Sequence, residues 1–207
     1  MINNPANKPE IPKIEAAKPD AAIVGSIALS SETLRTSVVE EYMPGFKGEA
    51  YEALSVLDNK ATFIIDAEIT GAWHYSPDRI EKFSREGAEA SEGNFGTGTY
   101  FGIGELTGET VDYLKSGNNI KHEICFSGNI LVVDRNKVVD ASHELKKKQG
   151  QAVSRLRMPI APIVDQAKGV DLNGQPIHAV MIYVSPERVS GELIVLPNAT
   201  EGISLLS

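Results

Sequence analysis

Two short segments carry the side chains that are best suited to binding a small molecule. Residues 72–76 place a histidine and a serine beside aromatic residues, and residues 95–102 alternate glycines with polar and aromatic side chains. Aromatic rings can stack on a flat ligand ring, a histidine can donate to hydroxyl groups, and glycines let the backbone approach a ligand closely. The two segments therefore indicate a ligand pocket, provided that the fold brings them together.

The glycines of residues 96–102 fit neither of the common phosphate-binding motifs. A P-loop needs a Lys and then Ser or Thr directly after its last glycine, whereas Ile103 and Gly104 follow Gly102 here. The dinucleotide fingerprint Gly-x-Gly-x-x-Gly needs its third glycine where Phe101 stands, and Gly102 comes one residue late. We therefore exclude a P-loop and a Rossmann-type site.

In these segments the sequence resembles the ADP-ribosyltransferases of the poly(ADP-ribose) polymerase type and the related domains of phage and bacterial toxins. That family carries a Trp/Tyr-His-Gly-Ser strand and a later Phe-Gly-x-Gly-x-Tyr-Phe segment. The corresponding residues here are Trp73-His74-Tyr75-Ser76 and Phe95-Gly96-Thr97-Gly98-Thr99-Tyr100-Phe101. Thr110 and Tyr113 match a Ser/Thr and a second Tyr in the following helix, and the resemblance continues to the last strands, near Leu196.

The resemblance implies a site for NAD, which is consumed as a substrate, and no metal. Tyr100 and Tyr113 would stack on the two faces of nicotinamide, while His74 would hold the ribose hydroxyls. Ser76 or Thr110 would meet the carboxamide. The implied NAD-binding residues are His74, Tyr75, Ser76, Phe95, Gly98, Tyr100, Thr110 and Tyr113, and the implied catalytic residues are His74, Tyr100 and His178.

The chain departs from the family pattern at two positions. Tyr75 stands where the family has a glycine whose backbone binds the carboxamide, and Val180 aligns with the family's catalytic glutamate. Relatives with an apolar residue there are mono-transferases or inactive. His178 lies two residues before Val180, on the same face of the predicted strand, and could partly replace the acid. Glu187 and Asp165 are weaker candidates.

The implied function is that of a mono-ADP-ribosyltransferase, which transfers ADP-ribose from NAD to a side chain of a target protein. Two alternatives remain open, a catalytically inactive module of the same fold that binds NAD, ADP-ribose or protein, and an NAD glycohydrolase. The polar N-terminal residues are compatible with the export signal of a bacterial effector or toxin that reaches a host cytosol. A cytoplasmic location with a plain disordered terminus is the other expectation.

Composition excludes several other classes of function. A formal charge of −8 argues against nucleic acid as the partner, because neutralising phosphates needs a surplus of Lys and Arg. The single Cys125 can form neither an internal disulfide nor a zinc site of paired cysteines. The apolar run 21–29 is interrupted by Gly25 and Ser26, so we expect neither an ordinary signal peptide nor a membrane span.

The order of predicted elements favours one α+β domain. We expect a flexible tail over 1–25 and a domain over 26–207, of which 26–58 form a helical cap. The remaining predictions are strands at 62–65 and 69–74, a loop or lid with at most one short helix at 76–98, a helix at 107–114, a hairpin of 120–126 with 130–133, a helix at 141–157, and strands at 179–184 and 192–196. The resemblance implies the ADP-ribosyltransferase fold, with two packed antiparallel sheets in a split β-sandwich and flanking helices.

Overall fold

The structure is a computed structural model that describes residues 23–24, 43–55, 57, 62–104, 119–148, 150, 160–172, 175–185 and 190–206. Its α-helices are α1 (Gly48–Ser55), α2 (Arg85–Ala90), α3 (Arg135–Lys148) and α4 (Ala161–Ala167). Short 3-10 helices cover Met43–Gly45 and Pro197–Gly202. The strands are β1 (Ile23–Val24), β2 (Thr62–Ser76), β3 (Glu92–Gly93), β4 (Gly96–Thr97), β5 (Thr99–Ile103), β6 (Ile120–Asp134), β7 (Asp171–Leu172), β8 (Gln175–Pro176), β9 (Ala179–Ser185), β10 (Ser190–Val195) and β11 (Ile203–Leu205).

Five strands form a sheet that closes on itself. Around the ring, β2 is followed by β5, β10, β9 and β6, and β6 pairs again with β2. The β6–β9 pair is parallel, and the other four pairs of the ring are antiparallel. Two short strands extend this sheet beyond the ring. β1 pairs with β2, and β11 pairs with β6.

A bulge bends β2 in its middle. The register with β6 shifts between Thr70 and Ala72, and Gly71 between them has a φ of 78°. Glycine adopts this left-handed conformation without the steric penalty that a side chain would bring. A bulge of this kind bends a strand and increases its twist, which helps the sheet to close.

Alternation along the strands separates two hydrophobic cores. Met181 and Leu193 belong to the core inside the closed sheet, to which all five ring strands contribute. Their neighbours Val180 and Ile194 point the other way, into a core that also contains buried residues of α1, α3 and α4. Burial of both faces explains the continuous apolar runs 179–182 of β9 and 193–195 of β10.

The predicted α+β class is confirmed. Among the described strands, the main sheet has seven members, five of which form the closed ring, and β3–β4 and β7–β8 are separate two-stranded sheets. Strands were correctly predicted near β2, β9 and β10, and the expected lid contains α2 together with the small β3–β4 pair. β1 lies inside the segment that was expected to be a flexible tail. The predicted helix at 141–157 begins earlier, as α3, and residues 151–159 lie outside the described ranges, as do the helix at 107–114 and most of the cap.

The predicted hairpin of 120–126 with 130–133 is wrong. Ser127, Gly128 and Asn129 continue β6 and pair with residues 66–68 of β2. Gly128 is needed there for a different reason, since a Cβ on it would lie 2.6 Å from Nδ1 of His178. Close packing therefore explains the glycine that lies between the two segments of the predicted hairpin.

Candidate functional site

The closed sheet brings the two aromatic segments of the sequence together. Trp73 of β2 pairs with Gly102 of β5, and the ring of Trp73 covers that glycine so closely that a Cβ there would lie 2.3 Å from Cζ2. His74 Nδ1 lies 2.9 Å from the carbonyl oxygen of Tyr100. Residues that are about 26 positions apart in sequence thus become direct neighbours.

The side chains of this strand pair divide between two faces. Trp73 and Tyr75 share one face, because neighbouring residues of a strand alternate. Gly102 pairs with Trp73, so Tyr100, two residues before it, points to that face as well. His74 points to the interior of the closed sheet, where it packs against other aromatic rings.

His74 is held by two rings and one carbonyl group. Its ring centroid lies 5.7 Å from that of Phe83 and 5.8 Å from that of Phe101, both in edge-to-face arrangements. A carbonyl oxygen can only accept, so Nδ1 carries the hydrogen and Nε2 of the neutral ring is an acceptor. Burial lowers the pKa of His74, the bond to the Tyr100 carbonyl opposes this, and the nearby His122 lowers the pKa further.

His122 also belongs to this interior cluster, although it was not among the predicted site residues. It is 7% exposed and pairs with His74 across β2 and β6. The Ser76 hydroxyl donates to the carbonyl oxygen of Asp78, and its oxygen lies 3.0 Å from Nε2 of His122. Along β6, the buried His122, Ile124 and Phe126 alternate with more exposed residues. This alternation is the sequence signal that His122 points inward.

On the opposite face, the Tyr100 ring is fixed by the segment that precedes β5. Its hydroxyl donates to the Gly96 carbonyl and accepts from the Phe95 amide at 3.3 Å. Gly93 lies against the ring, since a Cβ there would be 2.4 Å from Cζ. Burial raises the pKa of Tyr100 to about 12, so the hydroxyl remains a neutral donor at ordinary pH.

The contacts of Phe95 and Gly98 indicate that these two residues mainly stabilise the fold. Phe95 is 8% exposed, and the guanidinium of Arg135 lies 5.7 Å from its ring centroid. A Cβ on Gly98 would come within 2.8 Å of the Val195 carbonyl oxygen, so this glycine permits the close approach of β5 and β10. Asp165 accepts from the Thr97 amide at 2.9 Å and fixes the same segment to α4.

Glu192 of β10 is an acidic residue beside Tyr100 that was not among the predicted site residues. It pairs with Gly102, so its side chain shares the face of Trp73 and Tyr100. Its carboxyl is half-buried, and this burial raises its pKa, while the positive charge of Arg135 partly opposes the shift. Only the β5–β10 register reveals the relationship, because some 90 residues separate Glu192 from Tyr100 in sequence.

His178 is not brought to the His74 end of the sheet. Its Nδ1 accepts from the Asn129 amide at 2.9 Å, and its own amide donates to the Asn129 carbonyl. Asn129 lies seven residues along β6 from His122, which at about 3.3 Å per residue places it about 23 Å away. His178 therefore supports the β6–β9 junction.

Val180 is fully buried, between Leu131 of β6 and Ile194 of β10. Thr110, Tyr113 and Glu187 lie outside the residues that the structure describes.

Among the described residues, no group of three or more His, Cys, Asp or Glu side chains is arranged to hold a metal ion. No helix within the described ranges has the length and hydropathy needed to cross a membrane. The sequence matches no protein-family model and no curated protein.

Proposed function

We propose that this chain is a mono-ADP-ribosyltransferase, with an ADP-ribosyltransferase type of fold, that transfers ADP-ribose from NAD to a side chain of a target protein. The observation that carries the proposal is the pairing of Trp73 with Gly102. It makes antiparallel neighbours of the two segments that resemble the NAD-binding segments of that family. The resemblance in sequence thus corresponds to adjacency in space, which an accidental likeness of two short motifs does not require.

The chemistry of the paired strands suits the two rings of a nicotinamide riboside. Tyr75 and Tyr100 are half-buried and share a face with the buried Trp73. A flat ring can stack on these two tyrosines, each contact contributing about 0.5 to 1.5 kcal/mol beyond burial. Around the end of β2, the neutral His74 offers Nε2 as an acceptor for a ribose hydroxyl, which revises the donor role expected from sequence. Tyr113 stays a proposed second ring for nicotinamide.

Labelled NAD and a lysate of candidate target cells test the proposal. The intact chain is expected to release nicotinamide and to leave label on a protein. His74→Asn keeps a donor at the Nδ1 position but removes Nε2, so both signals should fall. His143→Asn is the matched control, because His143 is exposed on α3. Absence of both nicotinamide release and labelled protein would contradict transfer, and release without labelled protein would indicate an NAD glycohydrolase.

The second candidate function is a module that binds NAD, ADP-ribose or protein without chemistry. Val180 favours it, because a fully buried valine stands where the resemblance places the catalytic glutamate. Calorimetry with NAD separates the candidates, since the module binds ligand with no turnover. The transferase proposal includes an acceptor protein and a role as a secreted effector or toxin.

The proposed export signal lies in the N-terminal residues. If deletion of residues 1–20 left delivery of the protein into host cells unchanged, that result would count against the signal.

A further inference from the structure

We infer that Glu192 is the catalytic carboxylate of the proposed site. The inference rests on the proposed function, and it assigns the acid to a different strand from the one that the sequence alignment indicates. Val180 of β9 and Glu192 of β10 lie in adjacent strands and point to the same side of the sheet, but in consecutive rows of side chains. Val180 is fully buried among apolar side chains, whereas Glu192 is only half-buried.

The register places Glu192 beside the aromatic side chains of this face. Its cross-strand partner on one side is Gly102, which has no side chain, and on the other side is Ile182. The ring of Trp73 occupies the surface of Gly102, and Tyr100 is two residues away on the same face. The carboxylate therefore adjoins the aromatic face on which the nicotinamide ring would stack.

A carboxylate in this position matches the charge that develops during the reaction. The bond between ribose C1′ and the pyridinium nitrogen breaks, its electron pair stays with nicotinamide, and positive charge develops on the ribose. A nucleophilic side chain of the target then bonds to C1′, and its proton passes to Glu192 and on to solvent. A fixed negative charge in a partly dehydrated site stabilises this transition state more than it stabilises bound NAD.

The groups around Glu192 fit a carboxyl that must be ionised to act. Among the described residues, Arg135 of α3 is the charged group that acts on it, and Tyr100 of β5 is the titratable one. Asp165 of α4 acts on the Tyr100 hydroxyl as well. Burial raises the pKa of Glu192 and Arg135 opposes that rise, so Arg135 keeps the carboxylate form populated to lower pH.

Glu192→Gln tests the assignment, because it keeps the shape of the side chain and removes its charge. Nicotinamide release should fall by about 100-fold or more, the usual effect of losing one preorganised electrostatic group, while the Kd for NAD stays close to that of the unaltered chain. Glu68→Gln is the matched control, since Glu68 is an exposed glutamate of β2. Equal rates for Glu192→Gln and the unaltered chain would overturn the inference.

Arg135→Gln provides a readout that a purely structural role of Glu192 would not move. Removing the positive charge raises the pKa of Glu192 further, so the acid limb of the kcat profile should shift to higher pH. Lys146→Gln, at the other end of α3, should leave that limb in place. An unshifted limb in Arg135→Gln would contradict the inference. If the unaltered chain releases no nicotinamide at any pH, the proposed transferase function itself fails, which is a separate outcome.

Discussion

His74 Nδ1 donates to the carbonyl oxygen of Tyr100 at 2.9 Å, yet the side chains of these two residues leave the strand pair on opposite faces. The backbone of one site residue thus orients the ring of the other. A ligand that contacts both rings has to extend around the rim where β2 ends and β5 begins. In the proposed complex, the nicotinamide ring and the ribose bonded to it would lie on either side of this rim.

The burial of His74 predicts a dependence of stability on pH. Its pKa in the folded chain is below the usual value of 6.5, so the unfolded chain binds the proton more strongly. The stabilisation is present above the unfolded pKa and is lost as pH falls through the folded pKa, with a slope of at most about 1.4 kcal/mol per pH unit. Urea denaturation at several pH values should show a shallower loss for His74→Asn than for the unaltered chain. A parallel pH dependence in the two chains would contradict this assignment.

The contact between Trp73 and Gly102 predicts a sensitive position for both stability and fluorescence. Gly102→Ala forces the Trp73 ring away, because the added Cβ would lie 2.3 Å from it. Overpacking of this kind costs about 1 to 3 kcal/mol in the free energy of unfolding. Trp73 is the single tryptophan, so its emission should shift to longer wavelength in this variant.

Gly169→Ala is the control for that experiment, since a Cβ on Gly169 has its nearest contact at an ordinary 3.7 Å. It should leave both the emission and the denaturation midpoint close to those of the unaltered chain. An unshifted emission in Gly102→Ala would mean that the Trp73 ring does not cover β5.

Local pattern was sufficient to predict the strands but not how they pair. The branched apolar runs near β9 and β10 indicate strands whatever their neighbours are, and the ends predicted for them are close to those observed. Which strands adjoin is decided by packing over long sequence separations. The parallel β6–β9 pair and the closed ring were therefore not predictable, and neither was the packing of His178 on Gly128.

The sequence was sufficient to predict which segments form the candidate site, but not to which face of the sheet each side chain points. The resemblance identified the two segments that the structure pairs, but it treated His74 and Tyr100 as lining one pocket. A one-residue shift reverses the face of a strand residue, so the relative register decides which side chains meet. Glu192 and His122 become visible as site residues only when that register is known.

The position of His178 predicts that it affects stability and not turnover. His178→Ala removes the acceptor of the Asn129 amide, which should cost about 1 to 3 kcal/mol in the free energy of unfolding. His178→Asn can supply an oxygen acceptor and should recover part of that loss. Nicotinamide release, measured below the unfolding transition, should be the same in both variants as in the unaltered chain. A large fall in release from the fully folded His178→Asn would restore His178 as a catalytic candidate.

Val180→Glu is expected to destabilise the domain instead of restoring the acid that the family resemblance places there. The new carboxylate would be buried between Leu131 and Ile194, and an unpaired buried charge costs about 3 kcal/mol or more. Val180→Gln has the same length without the charge and separates the effect of ionisation from that of polarity and size. Burial disfavours the ionised form and raises the carboxyl pKa, so the deficit of Val180→Glu relative to Val180→Gln should shrink as pH falls. A Val180→Glu chain as stable as the unaltered one, with faster nicotinamide release, would instead show that position 180 faces the substrate and that Glu192 does not supply the acid.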